Sequence, residues 1–206
     1  MRWSKLLLAG LVLLLGACAA KVETSVTRFH EGLNFEGQSF VVLPLDAAKK
    51  GPEFAQYAGL IADAMSRYGF RPADAKDADL RVLVDYAVSE GRTKIETRPG
   101  YVFPAYSYYL GFYHPFHYGY YDPFYYDDFL GPEIRSKTVY TRKLSLRIEN
   151  VKTGKVVFEG RAVSEGPTQE ISLVMPYLVE SMFRNFPGES GATKVVEIKT
   201  RDGHLY

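Results

Sequence analysis

The sequence predicts an α+β domain: a mixed or mostly antiparallel sheet, two helices packed on one face, and a long aromatic-rich insert between strands. Several short segments alternate apolar and polar residues, as half-buried strands do. Residues 53–68 and 170–186 instead repeat their apolar residues with the period of a helix. A tract of unusual composition, residues 99–132, separates the two halves. The predicted order is therefore β-β-α-β, insert, β-β-α-β.

The strands of the first half are predicted from composition and alternation. Residues 22–29 are rich in β-branched side chains, which favour strands. Residues 31–34 have the composition of a turn, and the nearly continuous apolar run 39–45 is typical of a buried strand. Residues 79–89 alternate through Leu80, Val82, Val84 and Tyr86.

The two helices are predicted from apolar periodicity. The first ends before Gly69, where a glycine with positive φ is expected, and Phe70 can fold back on the last turn as in a Schellman cap. The second contains Pro176, and an interior proline costs a helix about 3 kcal/mol, so this helix either kinks there or begins near it. The predicted inward faces are Phe54, Tyr57, Ala58, Ile61, Met65 and Tyr68, then Ile171, Val174, Leu178, Met182 and Phe186.

The second half contains the clearest hairpin. Residues 137–150 alternate, residues 152–155 form a turn, and residues 156–164 return as the paired strand. Residues 187–188, a proline and a glycine, stop the second helix, and residues 193–199 add a last strand.

The N-terminus has the organisation of an export signal. Residues 1–5 carry two positive charges and no acid, and residues 6–15 are entirely apolar. A span of the hydrocarbon core needs roughly 20 apolar residues, so this short run is typical of a signal peptide. The residues that follow, Leu15-Gly16-Ala17-Cys18, resemble the lipobox of bacterial lipoproteins. This resemblance implies cleavage before Cys18 and a lipid on its sulfur.

The predicted organisation follows from that cleavage. Residues 1–17 are a lipoprotein signal peptide, 18–21 a short lipidated tether, 22–200 a single domain and 201–206 a tail. Cys18 is the only cysteine, so an internal disulfide is impossible. Ala19 rather than an aspartate follows it, which in enterobacteria-like sorting implies the outer membrane, facing the periplasm. The alternatives are an ordinary signal peptide cut near Ala20 and an uncleaved leader with a buried cysteine.

The charge of the mature chain argues against nucleic acid as a partner. Cleavage removes Arg2 and Lys5, so the 25 basic residues fall to 23, against 24 acidic residues. Nucleic-acid binding needs a clustered basic face, which this near-neutral sequence does not indicate.

Several motifs of the domain resemble the DUF4136 family of bacterial lipoproteins. They are the spaced phenylalanines of residues 34–42, the pair Gly69-Phe70, the strand entry at residues 77–82, the hairpin at residues 144–160 and the helix end at residues 185–187. Together they cover most of residues 22–187. Phe158 stands where the family often has tryptophan, and Asn150 replaces a usual aspartate. The resemblance implies the fold and no settled biochemical activity.

The insert, residues 99–132, is the feature that a generic fold does not explain. It holds ten of the 16 tyrosines and five of the 13 phenylalanines, three acids, two histidines and no lysine or arginine. Clustered tyrosines suit contact with protein partners, sugar rings or a membrane interface. The alternative is a low-complexity loop packed loosely over its own sheet. The candidate contact residues are Tyr108, Tyr109, Tyr113, Tyr120, Tyr121, Tyr125 and Tyr126.

The sequence favours a non-catalytic envelope module that binds a partner or supports assembly through the insert. It predicts no enzyme, cofactor or metal, because no nucleophile elbow or phosphate-binding glycine loop occurs. The alternative is a hydrolytic or metal-dependent envelope enzyme with its site in the insert. His114, His117 and Asp122 could be drawn as metal ligands there, although structural zinc sites usually have four.

Overall fold

The computed structural model describes residues 21–31, 37–98 and 133–200. The leader, Cys18, residues 32–36, the insert and the tail lie outside the described residues. The fold class is confirmed: a mixed sheet and two helices make an α+β domain. The elements are β1 Lys21–His30, β2 Ser39–Pro44, a short 3₁₀ helix Ala47–Lys49, α1 Pro52–Ser66, β3 Arg71–Pro72, β4 Leu80–Val88, β5 Arg92–Arg98, β6 Glu133–Asn150, β7 Val156–Gly166, α2 Ile171–Phe183 and β8 Thr193–Lys199.

The sheet is antiparallel except at one side. Its strand order is β3-β2-β4-β6-β7-β1-β8, and β5 pairs with β6 outside this path. β2 runs parallel to both β3 and β4, because α1 crosses over between them. The remaining neighbours in this order, β4 with β6, β6 with β7, β7 with β1 and β1 with β8, are antiparallel.

The chain divides into two compact units. The first comprises residues 1–91 and 139–206, and the second is Arg92–Thr138. In the second unit β5 pairs with β6, and Lys137 Nζ lies 2.6 Å from a carboxylate oxygen of Glu96. That ion pair is exposed and contributes little to stability.

The core lies between the helices and one face of the sheet. Alternate side chains of β1 are buried, beginning with Val22, and the alternation continues through β4, β6 and β7. In α1 the buried residues include Tyr57, Ile61 and Met65, on the predicted face. In α2 they include Val174, Leu178 and Met182, also as predicted. Full burial of such a side chain stabilises the fold by about 1.5–3 kcal/mol.

The predicted end of α1 is partly confirmed. Gly69 has the expected positive φ of 87°. The amides of Tyr68 and Gly69 donate to carbonyls three residues back, those of Met65 and Ser66, so the last turn tightens. The bond from Gly69 to Ser66 is the inner hydrogen bond of a Schellman cap, as predicted. Phe70 is buried and meets Phe40 edge to face.

Pro176 lies inside α2, which begins five residues earlier at Ile171. A proline cannot donate to the carbonyl four residues before it, here that of Ser172. Ser172 is exposed, so water can hydrate this carbonyl. The helix therefore tolerates the proline on its solvent side.

The turn between β6 and β7 explains one departure from the family pattern. Asn150 Oδ1 accepts hydrogen bonds from the backbone amides of Lys152 and Thr153, both at 3.0 Å. Gly154 has a φ of 67° and donates to the Asn150 carbonyl. An aspartate would offer the same acceptor, because both side chains form this type of turn.

Gly160 lets α2 approach the sheet. A Cβ placed there would lie 2.6 Å from Met182 Sδ and 2.8 Å from a ring carbon of Phe158. Phe158 is itself buried, at the position where the family often has tryptophan. In the hairpin motif of residues 158–160, Phe158 therefore fills the core, and Gly160 leaves the space that Met182 of α2 occupies.

We expect Gly160→Ala to lower the free energy of unfolding by about 1–3 kcal/mol, because the added methyl overpacks the core. Gly59→Ala is the matched control, since nothing lies within 4 Å of a Cβ at that position in α1. That substitution should raise stability by up to about 1 kcal/mol, as alanine favours a helix over glycine. Urea unfolding of both variants checks the opposite signs. Two changes of the same sign would contradict this packing.

Candidate functional site

One face of the sheet carries the candidate site. Both helices pack on the opposite face, where Val22, Val26 and Arg28 of β1 are buried. Thr27 and Phe29, which flank Arg28 in sequence, point to the other face, called here the helix-free face because no α-helix of the described residues packs on it. The same alternation applies to β4, β6 and β7, so side chains of four adjacent strands share this face.

Two neighbouring rows of paired residues cross these four strands. In the first row, Asp85 pairs with Ser145, Ser145 with Arg161, and Arg161 with Thr27. In the second row, Leu83 pairs with Arg147, Arg147 with Glu159, and Glu159 with Phe29. The two rows line one hollow of about 340 Å³, which is open to solvent on one side. Besides the eight residues of the two rows, Leu45, Leu146 and Gly160 also line this hollow.

Exposed apolar side chains lie at both sides of the hollow. Phe29 is 54% exposed on the β1 side. Leu45 is 56% exposed and, with Leu83, lines the β4 side. Large apolar groups that share one concave surface are a feature of interaction sites.

The charges of the hollow are paired except for one. Arg147 Nε lies 3.7 Å from Glu159 and 3.3 Å from Glu149. Asp85 accepts a hydrogen bond from Lys49 Nζ at 2.6 Å. Arg161 forms no ion pair or hydrogen bond with any side chain in the described ranges. The hollow therefore presents one guanidinium free to bind an anionic group.

A polar cluster near the start of α1 ties that helix to the end of β4. Tyr57 Oη donates to Glu53 at 2.8 Å, and Tyr86 Oη donates to the same carboxylate at 3.4 Å. Burial and then the hydrogen bond to Glu53 raise the pKa of Tyr57. Burial also raises the pKa of Tyr86, as does the Glu53 charge. Both phenols therefore stay protonated and donate hydrogen bonds. Through Glu53, the cluster links the first turns of α1 to β4 and has a structural role.

Asp79 has a structural role at the starts of β2 and β4. Asp79 accepts hydrogen bonds from the Ser39 hydroxyl at 2.7 Å and the Ser39 amide at 3.1 Å, which join the starts of β2 and β4. These bonds hold the pKa of Asp79 below its usual value. His30 Nε2 is 3.0 Å from the Gly188 carbonyl, so its ring is also engaged in the fold.

The candidate residues named from the sequence all lie outside the described residues. They are Cys18, the seven insert tyrosines and the alternative metal ligands His114, His117 and Asp122. Within residues 21–31, 37–98 and 133–200, no group of three or more histidine, cysteine or acidic residues is placed to hold a metal ion. The same ranges contain no helix long and apolar enough to cross a membrane.

The hollow itself was not predicted. Strand alternation indicates which residues point away from the helices, but it does not tell which strands are neighbours. Thr27 and Arg161 become paired only because β1 returns beside β7.

The sequence comparison identifies a family over most of the chain. The profile of a domain of unknown function, DUF4136, matches residues 25–188. This range contains all described elements from the middle of β1 to the end of α2. No curated protein matches the chain.

Among similar solved structures, one reaches a TM-score of 0.50 and supports the fold alone. A PDZ domain protein from Parabacteroides distasonis aligns with 95% of this chain at 11% identity and a TM-score of 0.50. The chain covers 43% of that protein's length. PelC from Paraburkholderia phytofirmans, crystallised as a dodecamer, aligns with 77% of this chain at 14% identity and a TM-score of 0.38, over 92% of its own length.

Proposed function

The chain belongs to the DUF4136 family of domains of unknown function, and we propose that it is a lipid-anchored lipoprotein of the cell envelope that acts as a non-catalytic binding module. The observation that carries the proposal is the sequence Leu15-Gly16-Ala17-Cys18 directly after a charged and then apolar leader. Such a leader is typical of exported proteins. Ala19 favours the outer membrane, with the domain facing the periplasm.

The short tether keeps the domain beside the lipid. β1 begins at Lys21, three residues after Cys18. At roughly 3.3 Å per residue, these three steps span about 10 Å. A partner of the domain would therefore meet it within the layer of water next to the membrane surface.

Two features support binding rather than catalysis. The insert, residues 99–132, offers many tyrosines, which combine an apolar ring with a hydroxyl and are common in interfaces. The hollow on the helix-free face offers exposed apolar groups and the unpaired guanidinium of Arg161.

Deleting residues 101–130 tests the role of the insert. We expect the deletion to reduce crosslinking of the lipidated protein to envelope partners, or its retention on envelope glycans, while membrane localisation stays unchanged. The full-length protein with Gly59→Ala is the control for expression and handling. Unchanged crosslinking, glycan retention and localisation would contradict a binding role for the insert.

A further inference from the structure

Arg161 lies on β7, one of the two middle strands of the hollow, between the apolar Phe29 on the β1 side and Leu83 and Leu45 on the β4 side. Its neighbours in the pairing are Ser145 on β6 and Thr27 on β1, neither of which carries charge. The other charged residues of the hollow, Asp85, Arg147 and Glu159, have partners at 2.6–3.7 Å. An anionic group of a ligand would therefore find its partner at Arg161, where a charge-assisted hydrogen bond can form.

The open shape of the hollow fits a polypeptide better than a small molecule. Small-molecule pockets typically bury 70–90% or more of their ligand. This hollow of about 340 Å³ is open on one side, so it does not enclose a compact ligand. A polypeptide instead gains contacts along the face, because Phe29 and Leu45 extend the apolar surface at either side.

The spacing of the groups defines a peptide pattern. Phe29 lies two residues beyond Thr27, the pairing partner of Arg161, so Arg161 and Phe29 are diagonal neighbours. Diagonal neighbours in a sheet are about 7–8 Å apart. In an extended peptide, side chains on the same face are two positions apart, about 6.6–6.8 Å. One such peptide can thus place an acidic side chain at Arg161 and an aromatic side chain at Phe29.

We propose that this hollow binds an extended segment of a partner protein in which an acidic residue and an aromatic residue are two positions apart. The carboxylate pairs with Arg161, and the aromatic ring packs on Phe29. Leu83 and Leu45 receive a further apolar side chain on the β4 side. This inference rests on the proposed binding function and names its surface and its partner chemistry.

The test uses the purified full-length lipidated protein in detergent and a fluorescein-labelled peptide, Asp-Ser-Tyr-Ser-Asp-Ser-Phe-Ser. Fluorescence anisotropy should show saturable binding that weakens with added salt. Two control peptides probe the pattern. The first control has asparagine in place of both aspartates. The second places each acidic residue directly next to an aromatic residue, so that the two side chains point to opposite faces of the extended peptide. Both controls should bind about threefold more weakly or worse. The first loses the charge that pairs with the exposed Arg161, and the second cannot place its two side chains on one face.

Variants of the protein complete the test. Arg161→Gln and Phe29→Ser should each weaken binding of the first peptide by about threefold or more, through loss of the ion pair and of the aromatic contact respectively. Arg81→Gln is the matched control, because Arg81 is an exposed arginine of the same face outside the hollow. It should change binding by less than about twofold.

Three outcomes would overturn the inference: no saturable binding of the first peptide, equal binding of the asparagine peptide, or unchanged binding by Arg161→Gln. Unfolding curves of the variants exclude misfolding as the cause of any loss. Membrane localisation and acylation are measured on the same protein. If they are intact while peptide binding fails, the peptide inference fails alone and the lipid anchor stands.

Discussion

Replacing Cys18 with serine is expected to abolish acylation and to remove the protein from the outer-membrane fraction. The thiol of Cys18 is the only one in the chain, so the variant has no other thiol that could carry the lipid. Each buried methylene contributes about 0.8 kcal/mol to membrane binding, and stable anchoring takes more than one chain. Loss of a multi-chain lipid therefore removes the whole anchoring free energy at once. Metabolic labelling with an alkyne fatty acid, followed by membrane fractionation, measures both effects.

Ala19→Asp is the matched control for that experiment. In a host with enterobacteria-like sorting, this variant should keep the acyl label and move to the inner membrane. If Cys18→Ser were labelled as strongly as the unaltered protein, the lipid would be on another residue. If Cys18→Ser stayed in the outer membrane, another part of the chain would anchor it.

Truncating Arg28 is expected to produce the largest loss of stability in the described part of the domain. Its guanidinium donates to the backbone carbonyls of Ser181, Met182 and Arg184 at 2.9–3.1 Å, where α2 ends. The side chain is buried, and burial lowers the pKa of Arg28. An arginine remains charged in proteins even so. It thus satisfies carbonyls at the negative end of the helix.

Arg28→Met keeps most of the length of the side chain but removes every donor. We expect it to lower the free energy of unfolding by about 3 kcal/mol or more, because each hydrogen bond to a charged group contributes about 1.5–3 kcal/mol. Arg28→Lys should lose less, since lysine keeps the charge but not the planar fork. Urea unfolding gives these values from the shift in midpoint.

Arg161→Met is the control for this series, because it removes an arginine that has no partner in the described residues. It should change stability by less than about 0.5 kcal/mol. If Arg28→Met were equally mild, the three carbonyls would have to find other donors, and the end of α2 would not depend on Arg28.

The main elements of the fold could be predicted because their apolar periods are long and regular. Residues 193–199 and the hairpin of β6 and β7 were placed within a few residues of their observed bounds. β5 was missed because its one large apolar residue, Ile95, is 67% exposed, so the strand shows no apolar alternation. β3 has two residues and no pattern of its own.

The buried arginines were missed for a different reason. Charged residues are rarely buried unless paired, so Arg28 and Arg142 are expected at the surface. Their positions carried a signal: Arg28 continues the buried alternation of Val22 and Val26, and Arg142 that of Leu144. The hollow could not be predicted, because it depends on which strands pair.

The mass of the mature N-terminus tests the central claim most directly. Protein purified from envelope membranes is digested, and the N-terminal peptide is identified by mass spectrometry. We predict a chain that begins at Cys18, with the mass of an acylated glyceryl group on that residue. A chain that begins at Met1, or after Ala20 without added lipid, would contradict the proposed anchor.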